Sequence, residues 1–180
     1  MKNIKLIAGL FLIFTSFTFT SCDIEPIDSA IDLDDFNPVT SVSGSYLMTA
    51  FNTSIPTDLN NDGVASANQM NETTCFDGSI LVLNQDNTFV ISSKGIDIVT
   101  DGVNQSLSCF MDANVMGTWI LSGNTLTIQY TEGGSQYSEQ FIATGNTLVY
   151  TLNNTEIVGT SSTNVPVNLT SDISIIYTKG

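Results

Sequence analysis

The residues whose spacing carries the most chemistry are Asp58-Leu59-Asn60-Asn61-Asp62-Gly63. They follow the opening of a calcium loop, D-x-N-x-D-G, in which oxygens at alternate positions converge on one cation because the glycine permits a sharp turn. The Val64 carbonyl would take the seventh position and Ser66 the ninth, while the twelfth, where a bidentate glutamate is expected, is Gln69. Ser66-Ala67-Asn68-Gln69 fits a capping box, so a short helix over 67–73 would carry Glu72 back toward the loop. One reading is therefore a structural Ca2+ held by Asp58, Asn60, Asp62, Val64, Ser66 and Glu72, which rigidifies the connection over 52–78. The plainer reading is an Asx-rich turn that needs no metal.

Cys75 and Cys109 are the two thiols left once Cys22 is set aside. Two cysteines in an exported chain pair as a rule, and the alternative is two free buried thiols. A nucleophilic cysteine is disfavoured, because the sequence holds no His and few cations to lower its pKa. Glu132 and Glu139 flank Gly133-Gly134-Ser135 and could approach one another across a hairpin as a glycosidase pair, although solvated hairpin charges are the ordinary outcome. Tyr46, Phe89, Trp119, Tyr130, Phe141 and Tyr150 are candidates to line a ligand pocket, the alternative being that they fill a core.

Composition removes whole classes of function. The 180 residues carry 18 acidic and 4 basic side chains, all four being lysines, and Lys2 and Lys5 lie in a segment expected to be removed. So acidic a surface repels phosphate backbones, which argues against nucleic acid as a partner. The missing His eliminates Ser-His-Asp and Cys-His catalysis and imidazole-ligated metals, so no enzymatic activity is expected.

The elements that must position these residues announce themselves by repetition. Gly123-Asn124-Thr125-Leu126-Thr127-Ile128 returns as Gly145-Asn146-Thr147-Leu148-Val149-Tyr150, and a looser copy is Asp86-Asn87-Thr88-Phe89-Val90-Ile91. Each copy is a turn that tolerates positive φ followed by an alternating strand. The pattern predicts eight strands, over 44–51, 79–83, 88–93, 115–121, 125–130, 137–143, 147–152 and 172–178. Leu126, Ile128 and Tyr130 share a face, as do Leu148, Tyr150 and Leu152. Residues 153–170, rich in Ser, Thr and Asn, read as a loop at one rim.

The first 21 residues read as a signal peptide: a Lys-bearing start, then an apolar run over 6–19 that is too short to span a bilayer. Phe19-Thr20-Ser21-Cys22 resembles a bacterial lipobox, with Phe19 where Leu is usual, and implies lipidation of Cys22 and a stable membrane anchor; the alternative is simple secretion. Residues 22–42 form an acidic, Pro-bearing tether whose composition cannot bury enough apolar area to order itself. Acidic residues directly after the cysteine resemble the surface-export signals of Bacteroidetes lipoproteins. The folded domain spans 43–180.

Gly44-Ser45-Tyr46, Gly117-Thr118-Trp119 leading into Leu121 to Ile128, and the closing Ile175-Ile176-Tyr177-Thr178-Lys179 resemble the lipocalin-like domains of Bacteroidetes lipoproteins over 43–179. In that family a Gly-x-Trp element opens the first strand, whereas here Tyr46 stands there and Trp119 lies mid-chain. The resemblance implies an all-β fold, an eight-stranded antiparallel up-and-down barrel with a long first connection and an interior able to hold one small molecule. The expected function is that of an outer-membrane lipoprotein of the cell envelope, surface-exposed or not, which binds a small apolar or amphipathic ligand without catalysis. The other expectation is an adhesion or scaffold module with a solid, calcium-stabilised barrel whose loops take a protein or glycan.

Overall fold

A computed structural model describes residues 41–180. The signal peptide, Cys22 and nearly all of the acidic tether lie outside the described residues. The chain runs β1 (Gly44–Thr57), β2 (Ser66–Asn68), a 3-10 turn (Gln69–Asn71), β3 (Ile80–Leu83), β4 (Thr88–Ser92), β5 (Lys94–Asp101), β6 (Asn104–Met111), β7 (Val115–Ser122), β8 (Thr125–Glu132), β9 (Ser135–Thr144), β10 (Thr147–Thr160) and β11 (Pro166–Lys179). Among the described residues there is no α-helix.

Eight strands in the order β1-β3-β4-β7-β8-β9-β10-β11 close on themselves through antiparallel pairing of β11 with β1. The register carries one face around the whole circuit. Tyr46 pairs with Leu81, Leu81 with Ile91 and Ile91 with Val115. Next to that row Leu83 pairs with Phe89 and Phe89 with Gly117, which stands opposite Tyr130. Leu126 then faces Phe141, Ala143 faces Leu148, Leu148 faces Tyr177, and Tyr177 returns to Met48. Because side chains alternate with period two, partners directly opposite share a face, and this face points inward all the way round. Closure also leaves the circuit without a free edge.

Two local irregularities adjust the face. The β1–β11 register shifts between Met48 and Ala50. Thr49 is the extra residue, its hydroxyl lying 2.8 Å from that of Thr178, and the inward set changes from Tyr46 and Met48 to Phe51 and Thr53. The β10–β11 register shifts likewise between Leu152 and Thr155, where Asn154 takes φ 51° and its N–H donates to Asp172 Oδ1 at 2.9 Å. Each bulge re-aims the residues that follow it.

All eight strands expected from the repeat are present. Three expectations for the connections are corrected. Residues 153–170 are no loop: β10 and β11 continue as a paired arm to Thr160 and Pro166, turning at 161–165. The alternation of Ile157 and Gly159 against Leu169 and Val167 was hidden by the surrounding Ser, Thr and Asn. The stretch between the third and fourth predicted strands is a separate hairpin, β5–β6, turning at Gly102-Val103 with Gly102 at φ 63°. The short helix is a 3-10 turn capped by Asn68, whose side chain accepts the N–H of Met70 at 3.1 Å.

Val42, Tyr46, Leu83, Phe89, Leu126, Phe141, Leu148 and Tyr177 belong to one packed cluster at the end where the chain enters. The Tyr46 hydroxyl donates to the Val42 carbonyl at 2.8 Å, fixing Val42 as a plug. Gly117 makes the close packing possible, since a Cβ there would lie 2.0 Å from the Gln129 carbonyl oxygen and 2.8 Å from the Phe89 ring. Trp119 Nε1 donates to the Asn84 carbonyl at 3.1 Å, so the Gly-x-Trp element ties β7 to the β3–β4 turn.

Candidate functional site

The inward face changes character along the barrel axis. Tyr46, Phe89 and Phe141 are each 1% exposed, so at the plugged end the aromatic candidates pack against each other and their aliphatic neighbours. Further along, the inward residues of β8 and β9 are Tyr130, Glu139 and Tyr137, with Tyr150 on β10 and Tyr177 on β11 beside them. Glu139 stands opposite Ile128, a residue of the core, and one inward position from Phe141. Its carboxylate is half-buried, not a solvated hairpin charge, and it does not pair with Glu132, which stands opposite Ser135 at the turn.

Tyr130 donates its hydroxyl to Glu139 Oε1 at 2.6 Å, the short distance typical of a charge-assisted bond. Its ring stacks on Tyr137 with centroids 5.3 Å apart and meets Phe89 edge-on at 6.3 Å. Tyr150 stacks on Phe141 at 5.0 Å, and Phe141 meets Tyr177 edge-on at 6.2 Å. Burial first, and then the Glu139 carboxylate by hydrogen bond and charge, push the Tyr130 and Tyr150 hydroxyls well above the ordinary 10.0. Burial first, and the Glu139 charge second, raise Tyr177 to about 12. All three are neutral O–H donors at any physiological pH, grouped about one anion.

Two recesses border the barrel. The larger, of about 580 Å³, is a shallow opening at the plugged end where Val42, Asn87 and Trp119 meet. The smaller, of about 340 Å³, lies along β7, β8 and β9 and is bordered by Tyr130 and Tyr137, with Thr118, Gln129 and Gln136 as its polar lining. The six aromatic candidates are thereby divided: Tyr46, Phe89 and Phe141 lie in the core, Trp119 at the larger recess, Tyr130 at the smaller, and Tyr150 between Phe141 and Glu139. The carboxylate they surround is the residue that sequence reasoning set aside. Its signal was its parity with Phe141 and Ala143 on the inward face.

The far end is covered by excursions. Phe76 from the long connection stacks on Phe51 at 4.7 Å, and Met70 and Ile96 pack against the core from above. The β5–β6 hairpin rises from β4 and β7 and reaches across to β10 and β11 on the opposite wall. Cys75 and Cys109, with Cα atoms 5.0 Å apart, form a disulfide that fastens β6 to the long connection. Lys94 at the hairpin base adds a second fastening through its Nζ to the Asp77 carbonyl at 2.7 Å.

In the Asp58 to Gly63 turn the oxygens serve the loop itself. Asp58 accepts the N–H groups of Asp62 and Gly63 at 3.1 and 2.9 Å, and Asp62 accepts that of Val64 at 2.8 Å. Asn60 Oδ1 also takes the Asp62 N–H at 2.9 Å. Glu72 does fold back, but its Oε2 accepts the Leu59 N–H at 3.2 Å in a buried position, and the Ser66 hydroxyl donates to the Asn68 carbonyl at 3.0 Å. Among the described residues no three acidic, cysteine or histidine side chains converge as a metal requires, so the donor set as folded fits calcium poorly.

The chain matches the family of lipocalin-like domains over residues 42–150. No curated protein and no solved structure matches the chain. The matched stretch covers well over half of the 180 residues, from the Val42 plug to Tyr150, and ends before the β10–β11 arm and the closing strand. The chain belongs to the lipocalin-like domain family.

Proposed function

We propose that this chain is a non-enzymatic, lipid-anchored protein of the bacterial cell envelope. Its barrel binds one small apolar or amphipathic ligand beside the Glu139–tyrosine cluster. The observation that carries the reading is the change within one inward face from close-packed Phe and Leu to a carboxylate ringed by tyrosines. A core built for stability alone has no use for a half-buried anion, which costs desolvation energy unless something pairs with it. An eight-stranded closed barrel is just wide enough to be filled by side chains or to hold one small molecule, and a few convergent polar groups on an aromatic wall are how such sites orient a ligand.

Export, lipidation of Cys22, the Bacteroidetes-lipoprotein resemblance and an outer-membrane address rest on the amino-terminal sequence. Mass spectrometry of protein extracted under native conditions tests the carrier reading: a stoichiometric small molecule is expected, and a clean apo mass from several growth conditions would overturn it. Cys22→Ser should move the protein out of the membrane fraction, and retention there removes the anchor.

The filled, plugged end favours a second reading, a scaffold or adhesion module whose excursions bind a protein or glycan. Structural calcium at Asp58, Asn60 and Asp62 belongs to that reading, in spite of the poor fit. A calcium-dependent rise in Tm that Asp58→Ala and Asp62→Ala abolish supports it, and an unmoved wild-type Tm removes the ion.

A further inference from the structure

The register that turns one face of the barrel inward also fixes what it shows outside. Val90 pairs with Met116, Thr118 with Gln129 and Ile120 with Thr127, and each alternates along its strand with residues of the inward face, so these rows point outward. From the turns of the plugged end to the Asn154 bulge, the outward positions of all eight strands hold Thr, Ser, Gln, Asn and apolar residues, without one Asp, Glu or Lys. Among the described residues the acidic groups stand instead in the turns, at the bulge, on the arm and in the excursions, Glu139 alone facing inward along the strands. Met116 and Ile120 are 67% and 61% exposed on this wall, and the recess of about 340 Å³ lies beside them.

We propose that this uncharged wall, centred on β7 and β8, docks a second copy of the chain about a two-fold axis. Such a contact leaves the barrel interior alone and holds whether or not a ligand is carried. In a two-fold contact the same patch serves on both sides, so any charge within it meets its own kind. With 18 acidic residues against 4 basic ones, meeting through the turns or excursions would set carboxylate against carboxylate, which opposes association. The wall avoids that juxtaposition, and acidic groups beyond its margins are screened over about 8 Å at physiological ionic strength. Its side chains also suit a like partner: Met116 and Ile120 supply apolar area, while Thr hydroxyls and Gln amides both donate and accept, so one copy can satisfy the other. Side chains that project next to a hollow give the wall relief of both signs. Five strands at a spacing of about 4.8 Å, with outward positions over about seven residues, offer roughly 500 Å² a side, the size of a weak, reversible pair and not of an obligate dimer.

Cross-linking of the full chain in intact cells with a short bismaleimide tests it. Cys75 and Cys109 are bonded to each other, so a cysteine introduced at an exposed position is the free thiol among the described residues. Ile120→Cys is expected to give a species of twice the chain mass at least about 10-fold more abundantly than Val103→Cys, because a docked pair holds its thiols at high effective concentration. Val103, 96% exposed at the tip of β5–β6, reports random collision. Gln129→Glu, which adds a charge to the wall without changing its shape, should lower the Ile120→Cys yield roughly 10-fold through like-charge repulsion, and Gln105→Glu, equally exposed on β6, should not. Both are exposed, near-isosteric changes, and an unchanged Tm confirms that each variant is folded. Equal yields from Ile120→Cys and Val103→Cys, or a yield indifferent to Gln129→Glu, overturn the proposal. A cross-linked species of any other mass overturns it too, since the wall would then seat a different protein.

Discussion

At the end where the chain enters the barrel, strands are joined by turns built on Asn87, Gly123 and Gly145, and the inward side chains are Phe, Leu, Val and two tyrosines packed to near-zero exposure. At the other end the connections are a 3-10 turn in a long crossing segment, a separate hairpin, the Gly133-Gly134 turn and a long arm, and the inward Tyr130, Glu139 and Thr53 are mixed with buried Phe76, Ile157 and Ile173. The same strands run through both. What differs is how each end meets its ordering cost: the plugged end by burial, the far end by a disulfide and by hydrogen bonds from excursions folded over it. Close-packed aromatic and aliphatic burial is thus densest at one end, and the half-buried carboxylate and tyrosines lie toward the other.

The comparison breaks most readily at Phe141. Phe141→Ala should cost about 3–5 kcal/mol in denaturant unfolding, while Tyr137→Ala, with its ring partly in solvent, should cost about 1 kcal/mol or less. Equal losses would mean that the ends do not divide the work. Replacing Cys75 and Cys109 together by Ser should cost about 3 to 4 kcal/mol by the chain-entropy account of a loop closed over 34 residues. Amide exchange should then quicken in β5–β6 and in 58–79, with β7–β9 near Phe141 unchanged.

Alkali sharpens the contrast further. Tyr130, Tyr150 and Tyr177 ionise later folded than unfolded, so their contribution is whole below pH 10 and is lost as pH rises through about 12 and beyond. Tm should therefore fall steadily above pH 10, with tyrosinate absorbance appearing together with unfolding. Absorbance that rises first, in a still-folded protein, would place those hydroxyls in water. Tyr130→Phe should have the smallest effect, about 1 kcal/mol, because Glu139 keeps access to solvent when its donor is removed.

Much of this was legible in the sequence, and unevenly so. The Gly-Asn-Thr phrase names a turn whose positive φ and whose following alternation are local properties, so it located strands at the plugged end and the face they share. The far end depends on contacts between distant residues. Asp101-Gly102 was a hairpin signal that polar neighbours obscured, and the arm beyond Asn153 is strand because β10 and β11 pair, not because Ser, Thr and Asn favour it. Glu139 was misread for a related reason. A single carboxylate near a turn looks solvated until register fixes which way it points. The six aromatic candidates share a type and a period, and only their height along the barrel separates filling from lining.

β1 and β11 close the barrel side by side, and Gly180 donates its N–H to the Ser45 carbonyl at 3.1 Å, so the first and last strands meet at the plugged end. A leash to the lipid proposed at Cys22 would thus join the domain beneath its stopper, at the end opposite the brim where the excursions fold over.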